Sequence, residues 1–169
     1  YIEAHGTGTR AGDPLEINAL GRALAGRPLN QPCLVGSVKT NIGHTEAASA
    51  MAGLIKATLV AREKQVPANL HFHTPNPEIP FAQLPLKVVT TLTPLDADKT
   101  HFIGVNSFGY GGSNGHVILR SARQHELPQP RSAQQSEIRQ MLVPFSARSE
   151  RALLAVLQRF EQQLQQQPD

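Results

Sequence analysis

The sequence predicts a layered α/β domain, in which helices cover a sheet. Short runs rich in Val, Ile, Leu and Phe alternate with longer helical patterns from residue 1 to about 120. Proline and glycine clusters separate these runs, and one helical stretch is apolar on nearly every side. With 169 residues, 40% apolar and 17% charged, the chain has the composition of a globular protein and the length of one modest domain.

Taken in order, Tyr1-Ile2-Glu3 reads as the end of a strand. It has no initiator methionine, so a fragment cut within a sheet is expected. Asp13-Pro14-Leu15-Glu16 opens a helix: Asp13 is placed to cap, proline suits the first helical position, and Glu16 stands where a capping box places its acid. That helix is expected to run to Leu24, with Gly26 just past its end. Cys33-Leu34-Val35-Gly36 reads as a short buried strand. A second helix is predicted from Thr45 to about Glu63, apolar all round through Ala47, Ala50, Met51, Leu54, Ile55, Ala57, Leu59 and Val60. Such a pattern predicts deep packing.

Pro67 to Pro85 is too proline-dense for regular structure, and Leu86–Thr90, His101–Asn106 and His116–Leu119 read as strands. From Ser121 to Gln140 the composition turns to Gln, Pro, Ser and Arg, the signature of a linker. Beyond it lie the apolar run Met141–Phe145 and an amphipathic helix starting near Ser149, with Leu153, Leu154, Leu157, Phe160 and Leu164 on one face.

Several function classes are disfavoured by composition. The net charge of +3 is spread along the chain without a basic block, so nucleic-acid binding is not expected. Cys33 is the only cysteine, which excludes an internal disulfide and a multi-cysteine zinc site and suits a reducing, cytoplasmic compartment. No stretch has the length of a membrane span. His71-x-His73 has spacing that metals use, but it sits in a proline-rich loop without a second ligand pair, and no metal site is expected.

Two segments carry the chemistry: Glu3-Ala4-His5-Gly6-Thr7-Gly8-Thr9 and Lys39-Thr40-Asn41-Ile42-Gly43-His44. Each sets an imidazole among small residues, so a ring can reach a cleft floor without crowding a ligand. His44 is predicted at or just before the amino end of the all-round apolar helix, where partial positive charge disfavours imidazolium. A neutral ring there can donate an N–H to a developing oxyanion or enolate, a contribution commonly worth about 3–4 kcal/mol. The alternative is a helix-capping or core histidine.

His5 follows a strand end, and the hydroxyls of Thr7 and Thr9 suit an extended, amide-bearing ligand arm. Alternatively these residues form only a glycine turn whose threonines satisfy the backbone. Lys39 lies beside a buried strand and requires an acidic partner, for which Glu16 is the candidate. Asp13 shares a helix face with Glu16. A third segment, Gly104 to His116, holds Phe108, Gly109 and Tyr110 among glycines. It fits neither the dinucleotide nor the phosphate-loop pattern. It reads either as a gate whose aromatic ring swings over an acyl pocket or as a plain hairpin turn.

Together the segments Glu3–Thr9, Gly36–Glu46 and Gly104–Val117 resemble the β-ketoacyl synthase (ketosynthase) domains of polyketide synthases and related fatty acid synthases. Pro67-Ala68-Asn69-Leu70 through Thr74-Pro75-Asn76-Pro77 adds a fourth match. The resemblance covers residues 1 to about 120, the last third or so of such a domain. Residues 141–169 look like the start of the segment joining ketosynthase to acyltransferase, after a linker over 121–140. It implies a thiolase-like layered fold, of which this chain holds the C-terminal half only.

The same resemblance implies a decarboxylative Claisen condensation of a malonyl-type extender with an acyl thioester. His5 and His44 match the histidines that assist decarboxylation and stabilise the enolate, Lys39 the supporting lysine, and Glu16 its ionic partner. Thr7 and Thr9 match residues that contact the phosphopantetheine arm. Phe108, Gly109 and Tyr110 fall in the substrate-binding turn, with Tyr110 where many members carry phenylalanine at the gate. The nucleophilic cysteine belongs to the half of the domain not represented here, and Cys33 does not replace it, so this chain alone is expected to be inactive. The implied partners are an acyl carrier protein, whose phosphopantetheine arm delivers substrate with no other cofactor bound directly, an acyltransferase domain in the same chain, and a second copy forming a homodimer. The rival is a non-elongating or non-catalytic module serving dimerisation or carrier docking; intact His5, Lys39 and His44 count against it.

Overall fold

In a computed structural model, residues 1–123, 126 and 143–166 are described. The chain divides into two units, Tyr1–Pro128 and Gln129–Asp169.

The first unit is built on a five-stranded sheet. Its strands are β1 (Ile2–Glu3), β2 (Cys33–Gly36), β4 (Leu86–Val88), β6 (Phe102–Phe108) and β7 (Asn114–Arg120), in the order β4-β2-β1-β6-β7. β1 lies at the centre and pairs in parallel with β2 (Ile2 opposite Val35) and with β6 (Ile2 opposite Gly104). β2 and β4 are also parallel, whereas β6 and β7 form an antiparallel hairpin. A separate two-stranded ribbon joins β3 (Gln65–Val66) to β5 (Thr93–Pro94).

Side-chain alternation along these strands divides the core into two layers. On one face Ala4, Cys33, Val35 and Leu86 pack with Ile17, and with the partly buried Ile2 and Leu20. Ile17 and Leu20 belong to α1 (Gly12–Ala23). On the other face Ile103 and Val105 pack with Ala57 and Val60 of α3 (Ser49–Glu63), flanked by Leu34 and Leu119. Cys33 is therefore a core thiol, as its apolar strand predicts. Because β2, β1 and β6 run parallel, their carboxyl ends meet at one edge of the sheet, and the segments that follow them emerge together there.

Several expectations are corrected by the structure. α1 begins at Gly12, so Asp13 and Glu16 lie inside its first turns and neither forms a capping box. Gly12 N–H instead donates to Thr9 Oγ1 (3.0 Å), and Gly8 N–H to Asp13 Oδ1 (3.0 Å). Between β2 and α3 the chain makes a single turn of helix, α2 (Lys39–Ile42), and a 3-10 turn at Glu46–Ala48. The predicted helix start at Thr45 is thus displaced to Ser49. Nor is α3 buried all round: Met51, Ile55 and Leu59 are 57%, 56% and 44% exposed. Ser121, placed by composition at the head of the linker, is buried, accepting from His101 N–H through Oγ and donating its own N–H to the His101 carbonyl. Most of the remaining linker lies outside the described residues.

In the second unit, α4 (Glu150–Gln166) begins one residue beyond the expected Ser149. Ser149 Oγ accepts from Ala152 N–H (3.3 Å) at its amino end. The Phe145 and Phe160 rings meet edge to face with centroids 4.9 Å apart. Met141 and Leu142 of the predicted apolar run, and the tail from Gln167, lie outside the described residues.

Candidate functional site

His5 follows β1, the segment carrying Lys39 and His44 follows β2, and Phe108 ends β6. The parallel order β2-β1-β6 therefore brings three segments, distant in sequence, to one sheet edge. The His5 and His44 rings approach edge to face with centroids 5.6 Å apart, and the Phe108 ring lies 5.5 Å from His5.

Each ring is held from its own side. His44 Nδ1 accepts from Glu46 N–H (3.0 Å), so Nδ1 is the unprotonated nitrogen and Nε2 carries the ring proton. This lock comes from the 3-10 turn rather than from the amino end of a long helix. The His5 backbone N–H donates to Glu16 Oε1 and that of Gly6 to Glu16 Oε2, both at 2.9 Å. One carboxylate from α1 thus clamps two consecutive amides where β1 ends. His5 Nδ1 is enclosed and has no hydrogen-bond partner among the described residues. Burial lowers the His5 pKa, the nearby Lys39 ammonium lowers it further, and the Glu16 carboxylate opposes them. The ring is thereby biased toward its neutral form.

Lys39 does not form the expected ion pair with Glu16. No carboxylate lies within 4 Å of its ammonium among the described residues, because Glu16 is occupied by the His5 and Gly6 amides and by Asn106. Burial lowers the Lys39 pKa, while Glu3, Glu16 and Asp13 act from further away in the opposite sense. Burial also raises the Asp13 pKa, opposed by the hydrogen bond from Gly8.

The buried ion pair at this edge is another one. Glu3, 1% exposed, meets Lys56 of α3 at 2.9 Å, and it also accepts from Val38 N–H and from the Tyr1 hydroxyl (2.6 Å). Burial and the neighbouring Glu3 charge push the Tyr1 phenol well above its ordinary value. Glu3 thereby ties β1 to the turn that carries Lys39. Sequence reasoning missed this role, although a glutamate in a strand and a lysine in an apolar helix were the available signal, since buried charges require partners.

The remaining predicted residues are less tightly gathered. Thr7 and Thr9 hydroxyls lie 3.2 Å apart on the loop after His5, Thr9 on the surface. Gly109 and Tyr110 belong to the β6–β7 hairpin turn, closed by Gly109 N–H to the Ser113 carbonyl (2.7 Å), and Tyr110 is fully exposed. A cavity of about 530 Å³ is lined by Thr9, Asp13, Lys39, Thr40, Asn69 and Phe72, among others. Neither His5 nor His44 lines it; at the carboxyl edge of the sheet His5 is half-buried and His44 exposed.

Residues 1–73 match the family described as β-ketoacyl synthase, C-terminal domain, and residues 75–169 match the ketoacyl-synthetase C-terminal extension. The chain belongs to the β-ketoacyl synthase family. It is 48% identical over 154 residues to a hybrid PKS-NRPS synthetase of Aspergillus violaceofuscus, covering 90% of this chain and 4% of that protein. To a phenolphthiocerol/phthiocerol polyketide synthase of Mycobacterium tuberculosis it is 52% identical over 126 residues, covering 73% of this chain and 7% of that one. Among solved structures, the ketosynthase from module 6 of the Bacillus subtilis bacillaene synthase aligns along the whole chain and 28% of its own length, with a TM-score of 0.71 and 34% identity. The layered α/β architecture is thus the ketosynthase, thiolase-like fold. This ketosynthase segment spans less than a tenth of the length of these curated relatives.

Proposed function

We propose that this chain supplies the two-histidine portion of a ketosynthase that extends a polyketide by decarboxylative Claisen condensation. The observation that carries the reading is the convergence of His5 and His44 at 5.6 Å, with one ring fixed in tautomer and the other biased to neutrality. The similarity to polyketide synthases supports it.

In the proposed reaction, a cysteine outside this chain holds the growing acyl group as a thioester; Cys33 lies in the core and is not that thiol. A malonyl-type thioester arrives on the phosphopantetheine arm of an acyl carrier protein. Its bond to the carboxylate breaks, carbon dioxide leaves, and the electron pair remains on the α-carbon as an enolate. His44 Nε2–H and the His5 ring donate to the enolate oxygen. The α-carbon then bonds to the acyl carbonyl, the carbon–sulfur bond to cysteine breaks, and the thiolate takes up a proton. This makes the whole protein an acyltransferase and leaves the chain by itself inactive, because nucleophile and histidines must share one cavity.

Within this scheme Lys39 adds to burial in biasing His5 toward its neutral form, Thr7 and Thr9 meet the amides of the carrier arm, and Phe108, Gly109 and Tyr110 border the acyl path. An acyltransferase domain in the same polypeptide and a second copy complete the assembly. Among the described residues no helix is long and apolar enough to cross a membrane. A reducing cytoplasm suits the free Cys33.

The test is His44→Ala in the whole synthase, with carbon dioxide release from malonyl carrier protein as the readout. Loss of one such donor should slow decarboxylation by about 10²–10³-fold. Turnover at the unaltered rate would refute the role.

A further inference from the structure

Glu16 has a third donor that the condensation chemistry leaves unexplained. Asn106 of β6 is 8% exposed and its Nδ2 donates to Glu16 Oε1 at 2.8 Å. A carboxylate only accepts, so the amide orientation of Asn106 is fixed and its Oδ1 faces the other way. There it lies 2.6 Å from Nδ1 of His116, its cross-strand partner on β7. That ring nitrogen must therefore carry the proton. The chain of donors runs in one direction, from His116 to Asn106 to Glu16, whose two oxygens receive the amides of His5 and Gly6.

Rotation of a glutamate carboxylate about its last torsion is soft. Two backbone amides from a turn leave that plane free to rock with the turn itself. The Asn106 donor comes from a separate strand and sets the plane from outside. Phe108, the ring touching His5, is two residues further along the same strand face. Both the backbone and the ring contact of His5 are thus referred to β6. At the outer end, Gly104 leaves space for the His116 ring: a Cβ there would lie 3.0 Å from His116 Cε1.

We infer that Asn106, braced by His116, is a positioning residue for His5, acting through Glu16. The inference rests on the proposed role of His5 in decarboxylation. It is tested in the whole synthase by measuring kcat and KM for decarboxylation of malonyl carrier protein beside acyl loading of the nucleophile, with His5→Ala as the control. Asn106→Ser should lower the decarboxylation kcat roughly 10- to 100-fold, since displacement of about 1 Å costs that much, with KM and acyl loading retained. Glu16→Gln combined with Asn106→Ser should be no slower than the slower single variant, because both act through one placement. Gly104→Ala, which disturbs only the seat of His116, should lower the same kcat by about tenfold or less and carries the test if Asn106→Ser does not fold.

Unaltered decarboxylation in Asn106→Ser or Gly104→Ala while His5→Ala has lost it would overturn the inference and leave the role of His5 standing. Equal loss of loading and decarboxylation, or losses that multiply in the double variant, would also overturn it. Retained decarboxylation in His5→Ala would instead remove the function proposed for His5, and this inference with it.

Discussion

Gly6→Ala is the sharpest single perturbation of this site. Gly6 has φ +47°, and a Cβ built on it would lie 2.8 Å from Ser37 Cβ and 3.0 Å from Ser37 Oγ. Ser37 is buried immediately after β2, and its Cβ moves only with its backbone. Carbon atoms in ordinary contact sit about 3.5–4.0 Å apart, so the two segments must separate by about 1 Å. The left-handed φ costs roughly 1–2 kcal/mol and overpacking about 1–3 kcal/mol, giving about 2–5 kcal/mol of lost stability. The displaced residue adjoins His5 and shares its carboxylate clamp, so a shift of about 1 Å should also slow decarboxylation by about 10²-fold. Gly8→Ala separates the two causes. Gly8 has φ +73° but nothing within 4 Å of its built Cβ, so it carries the backbone strain alone. The assay is carbon dioxide release from malonyl carrier protein, with melting temperature recorded for both variants. Gly6→Ala within twofold of the unaltered rate, or Gly8→Ala equally impaired, would refute the reasoning.

Three further outcomes are expected. Lys39→Met removes a charge that lowers the His5 pKa, so that pKa should rise and the acid limb of the decarboxylation pH profile should move to higher pH; a limb that stays or moves lower counts against the assignment. Lys56→Met leaves Glu3 buried without its cation and should destabilise by about 3–5 kcal/mol, seen as faster hydrogen exchange in β1 and α3, with the Glu3→Gln/Lys56→Met pair recovering part of the loss; exchange as slow as before would show the pair to be dispensable. Tyr110→Ala should change the range of acyl chains loaded, read by mass of the acyl-enzyme, and an unchanged profile would eliminate the gate.

What the sequence made legible was local. Cys33–Gly36 is the predicted strand, the Gly104–His116 segment is a hairpin, and α4 starts one residue beyond its expected origin, because each depends on short-range pattern and turn residues. The pairing of His5 with His44 was readable only through family resemblance, since strand order is a long-range property. The Lys39–Glu16 partnership failed for a physical reason. Opposite charges are visible in a sequence, but backbone amides are carried by nearly every residue and leave no mark. At the end of β1 two such amides and an asparagine took the carboxylate first.

The apolar helix α3 makes the complementary point. Its pattern predicts burial on every side, yet Met51, Ile55 and Leu59 face solvent while Ala57 and Val60 are enclosed by the sheet. A hydrophobic pattern does not by itself say which faces of a helix this sheet covers. This segment corresponds to 28% of the solved ketosynthase it matches along its whole length. Residues that read as core therefore sort into two groups, those covered by β1 and β6 of this unit and those left at its surface. The second group, by contrast with scattered exposed leucines elsewhere, repeats every four residues along one helix face, the spacing of a packed stripe.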